Sequence, residues 1–126
     1  MSKSKSRPTD SELQILSVLW QRGPSTVRDV YNALGKRSGY TTVLKLLQIM
    51  VDKGLVERDE TNRSHIYLPV SSAAHTQRQI VRHLLKRAFA GSAKSLIMQV
   101  LAAKRTSPEE LAEIRLLLKR HEKERS

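Results

Sequence analysis

The chain contains no cysteine. That excludes disulfide staples, thiolate zinc sites and cysteine nucleophiles together, and it fits a reducing compartment. Aromatic residues are scarce as well, with one Trp, three Tyr and one Phe among 126 residues, so a core has to be assembled from Leu, Ile, Val and Ala. The apolar runs stop far short of the roughly 18 residues that would cross a membrane. The opening, MSKSKSRP, is basic, and no apolar stretch follows it directly as in a signal peptide. Residues 1–8 therefore read as a flexible basic arm carrying Lys3, Lys5 and Arg7.

Enzyme signatures are missing too. There is no glycine-rich phosphate loop, no HExxH and no pair of carboxylates in an apolar setting, so no catalytic residue is assigned. His65, His75, His83 and His121 are scattered. His75 and His83 share a helix face with Gln79 between them, but two turns separate them and no acid is nearby. Neither a metal nor another cofactor is expected.

The last scarcity is of negative charge. The chain has 23 basic and 12 acidic residues, a net charge of +11. Between Thr61 and Pro108 there is no Asp or Glu, while Arg63, Arg78, Arg82, Lys86, Arg87, Lys94, Lys104 and Arg105 all fall there. Local i,i+4 pairs cannot neutralise such a segment. Its charge has to face a phosphate backbone or the acids of another segment, and the whole balance favours a polyanionic partner. A generically basic protein is the plainer alternative.

What is present organises into helices first. Thr9-Asp10-Ser11-Glu12 is a capping box, and the helix it opens runs to about Arg22, with Leu13, Leu16, Leu19 and Trp20 on one side and Gly23-Pro24 as the stop. A second helix starts at Thr26, places Val27, Val30, Tyr31 and Leu34 on one face, and ends at Gly35. The basic, turn-rich stretch Lys36 to Gly39 leads to a third helix from Tyr40 to Gly54, with Val43, Leu46, Leu47 and Met50 as its buried stripe. Leu55-Val56, a polar turn from Asp59 to Ser64, and Ile66-Tyr67-Leu68 make a hairpin. Beyond Pro69 the spacing predicts helices over about Ser72 to Ala90, Ser92 to Lys104 and from Pro108 onward, with His121 to Ser126 as a frayed charged end.

The expected fold is mainly α: a winged helix-turn-helix of three helices and a two-stranded wing over residues 9–70, then a three-helix dimerisation domain over residues 71–126. The apolar stripes of the last three helices comprise Ile80, Leu84, Leu85, Phe89, Leu96, Val100, Leu111, Ile114, Leu117 and Leu118. Stripes that cannot close on themselves in so short a chain bury against a second copy, which predicts a homodimer.

With Val43, Leu46, Leu47 and Met50 turned inward, the third helix leaves Thr41, Thr42, Lys45 and Gln48 pointing outward near its start, with Leu44 beside them. That composition suits the major groove of double-stranded DNA: threonine donates, accepts and meets thymine methyls, glutamine pairs with adenine, and lysine favours guanine acceptors. Leu44 either meets a thymine methyl or covers the junction with the first helix. Arg58 and Arg63 flank the hairpin tip, where arginine meets phosphate or the minor groove, although Glu57, Asp59 and Glu60 work against that. Two alternatives keep the same fold: a winged-helix protein–protein interaction module, and a nonspecific nucleic-acid-binding protein.

The stretches TDSELQILSVLW, TVRDVYNAL, YTTVLKLLQIMVDKGLV, IYLP, GSAKSLIMQV and SPEELAEIRLLL together resemble the penicillinase-repressor family of winged-helix transcriptional repressors (BlaI/MecI-type regulators, with the copper-responsive CopY branch). The resemblance implies a cytoplasmic, bacterial, DNA-associated homodimer that represses by occupying a palindromic operator, with base contacts on Thr41, Thr42 and Lys45. The copper branch senses metal through C-terminal cysteines, and the chain has none, so the antibiotic-resistance-like branch is the closer one. In that branch a regulatory protease induces expression by cutting an Asn-Phe bond in the dimerisation helices. The matching bond here is Gln99-Val100, a departure from that signal.

Overall fold

In a computed structural model, which describes residues 7–125, the elements follow in the order α1 (Asp10–Arg22), α2 (Val27–Ala33), α3 (Tyr40–Lys53), β1 (Val56–Asp59), β2 (Ile66–Pro69), α4 (Ala73–Ala88), α5 (Ala93–Ala103) and α6 (Pro108–Arg125). This is the expected mainly helical fold with a two-stranded antiparallel wing. Lys3 and Lys5 of the basic arm lie outside the described residues.

Two capping boxes start the first two helices. The Glu12 N–H donates to Thr9 Oγ1 at 3.2 Å and the Thr9 N–H donates to Glu12 Oε1 at 2.9 Å. Thr26 and Asp29 repeat the exchange at 3.1 Å in both directions. Each box satisfies backbone donors that a helix start leaves orphaned. Helix α3 starts differently, at Gly39, with no side-chain cap and no acid in its first turn. It stops at Gly54, whose φ of 79° is left-handed. A Cβ there strains the backbone, so Gly54→Ala is expected to cost about 1–2 kcal/mol. It should lower the urea midpoint while leaving the denaturant slope unchanged.

The core collects one face from each element: Ile15, Leu16 and Leu19 from α1, Val27 and Val30 from α2, Val43, Leu47 and Met50 from α3, and Val56 and Tyr67 from the wing. Strand register pairs Val56 with Pro69, Glu57 with Leu68, Arg58 with Tyr67 and Asp59 with Ile66. Ser25, between α1 and α2, adds a bridge to β2: its N–H donates to the Tyr67 carbonyl at 3.0 Å and its carbonyl accepts from the Tyr67 N–H at 2.7 Å. The wing is thereby tied to the helical body through backbone.

Several expectations need correction. Leu13, Trp20, Tyr31, Leu34 and Leu46 are only half-buried around the core, and on α1 the innermost position belongs to Ile15. Trp20 stays at the edge because its indole N–H needs a partner, which is the Ser71 carbonyl at 2.9 Å. Helix α6 continues to Arg125 rather than fraying from His121, since no Gly or Pro interrupts it after Pro108.

The chain divides into two compact units, one ending at Arg82 and one beginning at His83. In the second unit neither α5 nor α6 buries a single residue completely. No helix among the described residues is long and apolar enough to cross a membrane.

Candidate nucleic-acid interface

Helix α3 is held rigidly from behind. Val43, Leu47 and Met50 are wholly inaccessible, which fixes the helix axis and, by the 3.6-residue period, decides what faces water. Thr41, Lys45 and Gln48 fall at i, i+4 and i+7, and together with Thr42 they are exposed. Leu44 resolves toward packing, half-buried against the core cluster. At the far end of α3, Lys53 Nζ donates to Glu12 Oε1 at 2.6 Å, joining this helix to the start of α1.

The wing separates its two arginines. Arg58 Nε donates to Glu60 Oε2 at 2.6 Å. That carboxylate, with a hydrogen bond to Tyr67, raises the Arg58 pKa above its ordinary value. Asp59 is occupied in the turn, accepting from the Thr61 N–H at 2.9 Å and the Thr61 hydroxyl at 2.7 Å. The backbone hydrogen bond, then the hydroxyl, hold its pKa below the ordinary carboxylate value. Among the described residues, Lys45 and Arg63 have no carboxylate within 4.0 Å. An unpaired cation keeps its full charge for a polyanion, whereas Arg58 would first have to leave Glu60.

The second unit presents a different surface. An open apolar groove runs along Ala93, Ile97, Ile114, Leu117 and Leu118, with Arg120, His121, Lys123 and Glu124 at its margin. Leu84, Val100, Leu117 and Leu118, read from sequence as interface positions, are 40–59% exposed. Leu85, Phe89, Leu96, Leu111 and Ile114 are half-buried within the unit, and Ile80 is half-buried in the preceding one.

A family model described as Penicillinase repressor matches residues 8–120. The chain belongs to the penicillinase repressor family. It is similar to the transcriptional regulator BlaI of Mycobacterium tuberculosis, with 38% identity over 84 residues, 64% of this chain and 58% of that protein. The match therefore spans less than two thirds of that relative's length. Similarity to the penicillinase repressor of Bacillus licheniformis is lower, 24%, but extends over 115 residues and 90% of each chain. Among solved structures, a MarR family protein from Bacillus stearothermophilus superposes with a TM-score of 0.55 at 21% identity, over 98% of this chain and 79% of that one. Wild-type MarR from E. coli gives 0.53 at 18% identity, over 89% and 76%. At such identities the shared property is the fold.

In this member of the penicillinase repressor family, Gln99 and Val100 both lie within α5 and are exposed. Sequence reasoning passed over three features of the surface. Ile49 on α3 is 38% exposed, and Met98 and Leu116 are 55% and 54% exposed. The charge pattern also gave no reason to single out Arg28, which stands over the rings of Tyr40 and Tyr31. Period counting had marked Leu46 in place of the outward hydrophobics. Arg28 needed two helices brought together before it could be noticed.

Proposed function

We propose that the protein is a homodimeric, sequence-specific DNA-binding transcriptional repressor that occupies a palindromic operator through α3. The observation that carries this reading is the exposed Thr41, Thr42, Lys45 and Gln48 face, set on a helix whose opposite side is wholly buried. Preorganised side chains of these types suit base edges in the major groove. Arg63 is the favoured wing contact, being unpaired, and Arg58 contributes less because Glu60 already neutralises it. The repressor and penicillinase-repressor names of its relatives support the regulatory direction of the reading.

Dimerisation through the second unit supplies the two-fold symmetry that a palindrome requires. Its support is the uncovered apolar surface around Leu84, Val100, Leu117 and Leu118. A cut at Gln99-Val100 by a regulatory protease would sever α5 and part α6 from the winged helix. Because the bond is helical, that cut requires local unwinding first.

Selection of bound duplexes from a random library, followed by titration of the selected and a scrambled duplex, tests the reading. Lys45→Ala should lose about 1–3 kcal/mol of preference for the selected duplex. Affinity of the wild-type chain should fall with salt at a log–log slope of about −0.9 per phosphate contact. Equal binding of both duplexes by the wild-type chain would replace sequence-specific repression with nonspecific coating, which the acid-free segment alone would serve.

A further inference from the structure

Arg28 of α2 is exposed, and its guanidinium carbon lies 4.7 Å from the centroid of the Tyr40 ring and 6.0 Å from that of Tyr31. The two rings brace each other edge to face, with centroids 5.8 Å apart and an interplanar angle of 73°. Stacking on an aromatic face restricts the long arginine side chain and leaves the N–H edge of its planar fork free to donate. The acid nearest in sequence, Asp29, does not claim it. Asp29 accepts the Thr26 N–H at 3.1 Å and approaches Arg22 at 4.0 Å. No carboxylate among the described residues lies within 4.0 Å of Arg28.

Arg28 also lines a recess of about 300 Å³ that opens between α2, the first turn of α3 and the wing. Across it stands Arg63, with Tyr40, Leu44, Ser64 and His65 completing the walls. Two unpaired guanidinium groups on opposite sides of one concave site match a polyanionic strand. Bidentate donation from arginine suits phosphate oxygens. Tyr40 immediately precedes Thr41, so the recess borders the face assigned to base reading.

We propose that Arg28 is a DNA-backbone contact, that it and Arg63 grip the phosphates passing through this recess, and that Tyr40 and Tyr31 are its positioning residues. The proposal rests on the DNA-binding reading and adds to it a register-setting contact. Base-reading residues choose the sequence, whereas a phosphate clamp fixes how α3 enters the groove.

The test is a titration of the library-selected duplex and a scrambled duplex of equal length over a range of salt, with wild-type protein, Arg28→Ala, Arg28→Lys, Tyr40→Phe and Tyr40→Leu. Arg28→Ala should weaken both duplexes by the same factor and make the salt slope shallower by about 0.9. Arg28→Lys should restore the slope without restoring full affinity, because the charge returns and the planar stack does not. Tyr40→Phe should bind as wild type. Tyr40→Leu should lose affinity at an unchanged slope, since the cation remains but is no longer held. Thermal melts of each variant identify any loss caused by unfolding. An Arg28→Ala slope equal to that of the wild type overturns the proposal, as does weakening confined to the selected duplex. A wild-type chain that binds neither duplex overturns the DNA-binding reading itself, and the clamp with it.

Discussion

Replacing Lys53 with methionine is expected to destabilise the protein by about 3 kcal/mol at neutral pH. The substitution keeps the length and apolar stem of the side chain and removes only its ammonium. What it leaves behind is Glu12, whose side chain is 3% exposed and whose Oε1 has lost its 2.6 Å partner. An unpaired carboxylate in that position keeps the penalty of burial without the attraction that offset it. The expected loss lies at the lower end for buried pairs because the Lys53 side chain retains 24% exposure, so water reaches the vacated site.

The pH dependence gives this prediction its sharper edge. Burial pushes the Glu12 pKa upward, but the hydrogen bonds from Lys53 and the Thr9 backbone, together with the Lys53 charge, bring it below the ordinary carboxylate value. A depressed folded-state pKa contributes stability above the unfolded value, and that stability is lost as pH falls through the folded one. Lys53→Met removes the lysine contributions and leaves the burial. Its deficit relative to wild type should therefore be largest at neutral pH and should shrink as acid protonates Glu12. Urea midpoints at pH 7 and pH 4 measure this, with Glu12→Gln/Lys53→Met expected to recover part of the loss at pH 7. A deficit of equal size at both pH values would show that the lysine stem, not its charge, was what mattered. The pair also bears on function, because it fastens the end of α3 to the start of α1 and so helps fix the angle of the reading helix.

Glu12 also illustrates what the sequence makes legible. Its place in Thr9-Asp10-Ser11-Glu12 identifies a helix start, and the capping bonds form as the spacing requires. Nothing local says that the same carboxylate is buried, because its partner is 41 residues away. The helices are readable for similar reasons: caps and left-handed glycines are local signals, and apolar periodicity marks a face. Which residue on that face lies deepest depends on the tilt of the neighbouring helix, and so Ile15 was passed over in favour of Leu13. Ser25 is harder still. It pairs with Tyr67 through backbone alone, and backbone pairing leaves no composition signal in a single residue.

The candidate interface divides along the same line. Thr41, Thr42, Lys45 and Gln48 could be found by subtraction, since a helix with one apolar stripe must expose what remains. Arg58 and Arg63 look equivalent in sequence, and the difference between them is a bond to a side chain two residues away. Arg28 is distinguished by Tyr40, which approaches only when α2 and α3 pack. Charge in the sequence therefore indicates the class of partner, while the pairing of each charge in the fold indicates which ones remain free to meet it.

The second large effect is expected from the other unit. Leu84→Glu combined with Leu117→Glu should convert the proposed dimer into monomers and weaken operator binding by about 10²–10⁴-fold. Leu84 is 40% and Leu117 59% exposed in the single chain, so the new carboxylates meet water in the monomer and a buried, uncompensated environment only across the interface. Each monomer should keep its helical content and its affinity for a duplex carrying one half-site. What it loses is the tethering that makes capture of the second half-site intramolecular. Sedimentation equilibrium reads the assembly state and titration of full and half-site duplexes reads the affinity. A variant that remains a tight dimer would place the interface elsewhere on the chain. The salt slope supplies an independent reading, because a monomer neutralises half as many phosphates and its slope should fall by about half. Lost affinity at an unchanged slope would instead mean that dimers still form but hold their two reading helices at a spacing the operator does not match.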